Sequence, residues 1–200
     1  MTGRAGMTRF APVLAGVTLL LVAHWLDPWA VHALRLPSAN DRDWGRLLRI
    51  LGFAPTWLAI AGLFWLESRG HAEPPERAAD LARTGRDIVI AVAVGGILAE
   101  VAKLLIRRER PTAEFDGYHF QAFAGSLNTK ALGMPSSHVA VAFAGAAVVA
   151  RRYPRTAPLL VALAAGCGLT RIFAQAHFLS DVVAGALGGW AVGWWTGRRQ

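Results

Sequence analysis

Long apolar runs separated by short charged stretches dominate this chain, and most of them approach the roughly 17 to 25 residues that a helix needs to cross a bilayer. They predict six segments, at about Phe10 to Leu26, Leu47 to Leu66, Ile88 to Ile106, Ser136 to Ala150, Ala157 to Phe173 and Leu179 to Trp195. The fourth is short for a span, and Arg151, Arg152 and Arg155 beyond it are expected to snorkel into the headgroups. Trp25, Trp29, Trp65, Trp194 and Trp195 fall near segment ends, where amphipathic rings prefer to sit. Glu67 to Asp87 is polar, holds Pro74-Pro75 and mixes both signs of charge, which predicts a solvated loop with a short helix near Ala78 to Thr84. No repeat or low-complexity tract breaks the pattern. The expectation is an all-α, polytopic membrane bundle of six transmembrane helices, with residues 1–200 as one domain.

Composition agrees. The chain is 54% hydrophobic and 17% charged, with a mean hydropathy of +0.36, which excludes a disordered, coiled-coil or disulfide-rich protein. Cys167 is the one cysteine and lies in an apolar run, so it is expected to pack, with no disulfide and no cysteine-ligated zinc. Net charge +8 would suit nucleic acid, but membrane chains collect basic residues in loops and around anionic substrates, so no nucleic-acid partner is expected.

Six spans put both termini on one side. That side holds Arg4, Arg9, Arg69, Arg77, Arg83, Arg86, Arg151, Arg152, Arg155, Arg198 and Arg199, against Arg35, Arg42, Arg46, Arg49, Arg107, Arg108 and Lys130 opposite, once three cations reserved for chemistry are set aside. The excess predicts an inner (plasma) membrane protein with cytoplasmic termini. A cleaved signal peptide ending near Val31-His32-Ala33 is the alternative, but it would remove a helix that the bundle needs.

Ionisable groups in or beside spans cost about 2.5 to 3.5 kcal/mol each at mid-span on insertion scales, so they are candidates for function. Lys103 and Arg110 are seven residues apart, two helical turns, which would put both cations on one face of a helix stopped by Pro111. Snorkelling plus a Glu100–Lys103 pair is the structural alternative. Gly133-Met134-Pro135-Ser136-Ser137-His138 opens the fourth segment, with proline expected in the first turn and free backbone N–H groups at the positive helix end, a cradle for phosphate. His138 could donate a proton there, or be an ordinary interfacial histidine. Between the fifth and sixth segments, His177 and Asp181 are at i, i+4, so the carboxylate could hold one ring nitrogen and leave the other as a nucleophile, with Arg171 nearby. A helix N-terminal acid beside a packing histidine is the alternative.

The predicted topology brings all three places to one face of the membrane. Three cations, a helix end, two histidines and an aspartate suit a phosphate dianion, with no carboxylate cluster for magnesium and no typical zinc set, so metal-independent phosphoryl transfer without a cofactor is expected.

In order and spacing the chain resembles the type 2 phosphatidic acid phosphatase superfamily, membrane lipid phosphatases related to vanadium haloperoxidases. Lys103-x6-Arg110-Pro111 matches the first signature in full. Pro135-Ser136-Ser137-His138 matches the second with Ser137 where glycine is usual, and Thr170-Arg171-x5-His177-x3-Asp181 matches the third with threonine for serine. The motifs cover 103–181. The resemblance implies His177 as nucleophile, Asp181 as its orienting partner and His138 as acid and then activator of water. It also implies Lys103, Arg110 and Arg171 on the phosphoryl oxygens, with Ser136 and the Ser137 N–H completing the cradle. Glycine allows close approach and unusual dihedrals that serine resists, so Ser137 is expected to alter the site slightly.

The implied substrate is a lipid phosphate or diphosphate held at headgroup level on the extracytoplasmic side: phosphatidate, phosphatidylglycerol phosphate, a polyprenyl diphosphate or a lipid A phosphate. Tyr118, His119 and Lys130, between Thr112 and Met134, are expected in a solvated loop, with headgroup contact as the alternative. The first rival function is a phosphotransferase that discharges phosphohistidine to another acceptor; the second is a non-catalytic lipid carrier or scaffold.

Overall fold

The computed structural model describes residues 3–70, 74–112, 115–123 and 127–198. They form seven α-helices: α1 Gly3–Ala33, α2 Asp43–Arg49, α3 Ala54–Glu67, α4 Pro75–Ile106, α5 Ser137–Arg152, α6 Ala157–Phe173 and α7 Leu179–Thr196. Each apolar window falls on helix. Three helices, spanning Phe10–Ala33, Pro75–Ile106 and Pro154–Phe173, are long and apolar enough to cross a membrane. The second window is a broken one: Asp43–Gly52 and Ala54–Glu67 meet at 71°. Extended Phe53 interrupts the helix and Pro55, which needs no N–H partner in a first turn, restarts it. Counting that pair as one gives four spans, with α5 and α7 packed among them. Phe10, Leu21, Leu63, Ile97 and Leu105 stay exposed, the outward apolar surface that lipid requires.

The stretch read as a solvated loop is mostly the start of α4, which runs unbroken from Pro75. Its polar residues have inward partners. Arg152 of α5 donates to Asp80 at 2.6 Å and to Asp87 at 2.8 Å, and both Arg152 and Asp87 are buried. Arg152 therefore does not snorkel. A buried guanidinium needs carboxylates, and two helical turns of α4 supply them. Arg151 lies over the Trp194 ring at 4.3 Å, and only Arg155 of the three is exposed.

α5 is the axle. It has 16 residues, about 24 Å of helix, and is buried on nearly every side. Gly185, Gly189 and Gly193 form a four-residue-spaced stripe on α7, and a Cβ there would come within 2.5, 2.2 and 2.1 Å of the Ser136, Ala140 and Ala144 carbonyl oxygens. Only hydrogen allows that approach, the small-residue packing by which helices associate in membranes. The seam fixes the start of α5 against the start of α7, where the second and third motifs lie. Cys167 is fully buried in the core beside Trp57 and Val141, as expected of a packing residue.

Candidate active site

Arg110 and Lys103 do not share a helix. α4 ends at Ile106, where Arg107 takes a left-handed conformation (φ 57°), and an extended segment carries the chain to Arg110. That segment is held on both edges: the Glu109 N–H donates to the His119 carbonyl (2.8 Å), and the Arg110 N–H to that of Ala131 (3.1 Å). Pairing between segments, rather than Pro111, ends the helix. Lys103 is buried, and its ammonium donates to Glu100 (2.7 Å) and to the Ser137 hydroxyl (2.9 Å), leaving one of three donors. The Glu100–Lys103 pair thus exists together with a contact to the second motif.

Pro135 lies before the helix rather than in its first turn; Ser136 is the N-cap and Ser137 the first residue of α5. The Ser136 N–H donates to the Asp181 carbonyl at 3.0 Å, which ties the cradle to α7. Among the described residues the buried Ser136 Oγ has no hydrogen-bond partner, and neither has Nε of Arg110 or of Arg171. Burial pushes the Arg110 guanidinium below its ordinary value, opposed by the charges of Asp181 and Glu100.

His177 precedes α7, whose N-cap is Phe178, so the i, i+4 spacing to Asp181 spans a cap rather than a helical turn. Its Nδ1 donates to the Gly133 carbonyl at 2.9 Å, with Asp181 Oδ2 at 3.6 Å. Gly133 allows this, since a Cβ there would meet Asp181 Oδ2 at 2.7 Å. With the proton on Nδ1, Nε2 keeps its lone pair. Burial pushes His177 below the ordinary histidine value, against the raising effect of Asp181, so the ring is neutral at pH 7. His138, in the first turn of α5, interacts electrostatically with Arg171, His177 and Lys103. The three motifs converge.

Residues 85–199 match the family model described as the PAP2 superfamily. The chain belongs to that superfamily. It is 29% identical over 169 residues to a lipid A 1-phosphatase of Rhizobium etli, covering 80% of this chain and 72% of the relative. It is 35% identical over 108 residues to a lipid A 1-phosphatase of Rhizobium johnstonii, covering 53% and 44%. Its fold matches the crystal structure of a transmembrane PAP2-type phosphatidylglycerolphosphate phosphatase from Bacillus subtilis, with a TM-score of 0.64 over 94% of each chain at 17% identity. Membership makes this a multi-pass membrane phosphatase acting on phosphate esters of lipids, as its motifs predict.

Two PAP2 departures acquire a physical reading. Ser137 sits in regular helix, so it needs none of glycine's dihedral freedom, and its hydroxyl accepts from Lys103. Thr170 donates to the Cys167 carbonyl at 2.7 Å within its own helix.

Sequence reading missed three groups. Arg108, tallied as a loop charge, is buried against Ser180 and Asp181; Asp27, one residue beyond the first window, is fully buried; Arg49 interacts electrostatically with His138 and Arg171. An acid at the edge of an apolar run was the available signal for Asp27. Tyr118 is half-buried, and its hydroxyl lies 3.1 Å from Asp27 Oδ2, which ties this loop to the first helix. His119 is exposed and pairs with Asp116, and Lys130 is exposed.

Proposed function

We propose that this chain hydrolyses the phosphomonoester of an acylated sugar phosphate of the lipid A type through a phosphohistidine. The observation that carries the mechanism is the Nδ1 donation of His177 to Gly133, which leaves Nε2 free on a ring that interacts electrostatically with Arg110 and Arg171. Nε2 attacks phosphorus while the bond from phosphorus to the lipid oxygen breaks, and His138 gives that oxygen its proton. Water, activated by His138, then attacks phosphorus, the P–N bond breaks, and His177 and free phosphate are restored. Lys103, Arg110 and Arg171, with Ser136 and the Ser137 N–H, hold the three equatorial oxygens. Asp181 favours the imidazolium that forms.

The lipid A preference rests on similarity to the two rhizobial enzymes over much of the chain. An apolar crevice lined by Leu98 and Ala102 of α4, Pro135, and Ala184, Gly188 and Val192 of α7 runs from beside Ser136, giving an acyl chain a path to lipid. The excess of basic residues around the termini supports cytoplasmic termini in the plasma membrane and an extracytoplasmic site. One domain carries the whole function.

The test is phosphate release by the detergent-purified chain in EDTA from a panel of lipid phosphates, wild type against His177→Ala. Release from the acylated sugar phosphate that survives EDTA and vanishes in the variant is expected. Preference for phosphatidate or phosphatidylglycerol phosphate would overturn the substrate, loss in EDTA the metal-free mechanism, and a phosphorylated acceptor in place of free phosphate would show a phosphotransferase.

A further inference from the structure

A chain of buried charge lies behind the nucleophile and reaches the first helix. Asp27 of α1 is fully buried and accepts from both the N–H (2.8 Å) and the hydroxyl of Ser180. Arg108 donates to the Ser180 hydroxyl (2.8 Å) and to Asp181 Oδ1, and lies 3.9 Å from Asp27 Oδ2. Its guanidinium lies against both the Phe178 and Tyr118 rings, at 4.9 and 5.1 Å, and those two rings meet each other edge-on at 5.2 Å. Asp181 Oδ2, the oxygen near His177, accepts the Phe178 N–H at 2.9 Å. Pro28 has no N–H to offer the His24 carbonyl four residues back, and the Tyr118 hydroxyl lies 3.2 Å from that carbonyl as well as near Asp27. Burial and the Asp27 charge push the Tyr118 phenol well above its usual 10, so it stays a donor.

Resting on the phosphohistidine reading, we propose that Asp27 and Arg108 are positioning residues for this reaction: Asp27 fixes Ser180 and Arg108, and Arg108 fixes Asp181 behind His177. The physical case is charge and geometry together. Arg108 stands between the Asp27 and Asp181 carboxylates in a dry setting, where a charge is costly unless paired. The imidazolium formed when His177 attacks phosphorus gains Asp181 as its partner. Arg108 also holds one oxygen of Asp181 so that the other faces Nδ1, the orienting task that partners of reactive histidines perform in other enzymes. Through Asp27, the first helix, which carries none of the three motifs, becomes part of the catalytic apparatus.

The test uses the full detergent-purified chain, a lipid phosphate that the wild type hydrolyses, and Asp27→Asn. The expected result is a kcat about 10- to 100-fold lower, the range found when such outer partners are removed, with KM within about twofold because Lys103, Arg110 and Arg171 are untouched. The acid limb of kcat should also move to lower pH. The groups facing His177 are Asp181, Arg171, Arg110 and His138, and Asp27 reaches it only through Arg108 and Asp181. Without the Asp27 carboxylate, Arg108 acts on Asp181 alone and weakens the support that Asp181 gives to protonation of the ring. Ser180→Ala, which keeps the buried charges and deletes the bridging hydroxyl, should lower kcat without moving the limb, and it reads the same relay if Asp27→Asn does not fold. Folded Asp27→Asn with wild-type kcat and pH profile overturns the proposal, as does an unchanged kcat in Ser180→Ala. A wild type that releases no phosphate from any lipid overturns the phosphatase reading itself, an outcome distinct from an active wild type with unmoved variants.

Discussion

Two buried arginines, each between two aspartates, sit at opposite ends of α5, and they serve different ends. Arg152 spends both terminal nitrogens on Asp80 and Asp87, and Arg86 adds a second cation to Asp87 at 3.0 Å. Two positive charges meet two negative ones. Arg108 instead lies between Asp27 and Asp181, and Asp181 turns its other oxygen to His177. Around it, the guanidinium groups of Arg110 and Arg171 make no hydrogen bond or ion pair among the described residues. One end is closed and holds helices together; the other leaves buried guanidinium groups without a partner among the described residues, which is where the proposed chemistry lies. Burial of charge does not by itself mark an active site; incomplete neutralisation does.

The comparison breaks first at Arg152. Arg152→Met leaves buried Asp87 with only Arg86, on its other oxygen, and the expected cost is up to about 3–5 kcal/mol of stability, seen as a lower melting temperature in detergent, with kcat per folded molecule unchanged. A fall in kcat at constant stability would show that this end is also chemical. Arg171→Ala should do the reverse: kcat lower by about 10²–10³-fold, the effect of losing one transition-state donor, with the melting temperature held or raised because a crowded cation is gone. If Arg171→Ala unfolds the protein and spares kcat, the contrast between the two ends fails.

A smaller effect separates the ends along the α5–α7 seam. Gly185→Ala and Gly193→Ala drive a methyl group against the Ser136 and Ala144 carbonyls, and each should destabilise by about 1–3 kcal/mol as overpacking does. Only Gly185→Ala displaces the phosphate cradle, so only it should lower kcat, by up to about 10²-fold. Equal loss of kcat in both would mean that the whole seam, not its catalytic end, sets the site geometry.

How far each end was legible follows from where its partners lie. Apolar windows marked the helices well because lipid-facing length is a local property. The motif residues were legible because their types and spacings are local too. The helix end at Ile106 was misplaced at Pro111 because the signal that decides it, pairing of 107–110 with 119–121 and 131–133, comes from elsewhere in the chain. Arg152 was misread as snorkelling and Arg108 as a loop charge for the same reason: their aspartates lie 65 to 81 residues away. Asp27 and Ser180 are separated by 153 residues. Charge along a sequence shows that a residue is costly to bury, but its partner, and hence its purpose, is a property of the packed bundle.

The finest difference between the ends is one of protons. His177 is held neutral by burial first, with Arg171 and Arg110 adding to the effect and Asp181 opposing it. A histidine must be unprotonated at Nε2 to attack phosphorus, so activity falls as pH drops through its lowered value, and the acid limb of kcat/KM, which reports the free enzyme, should lie below the ordinary 6.5. Arg110→Gln removes a cation that disfavours the imidazolium, so protonation becomes easier and the limb should move up in pH, whatever happens to the rate. Arg152→Met, at the far end of α5, should leave it where it is. A limb at or above 6.5 in the wild type would mean that Asp181 outweighs burial, and a shift in Arg152→Met would mean that the two ends share one electrostatic field.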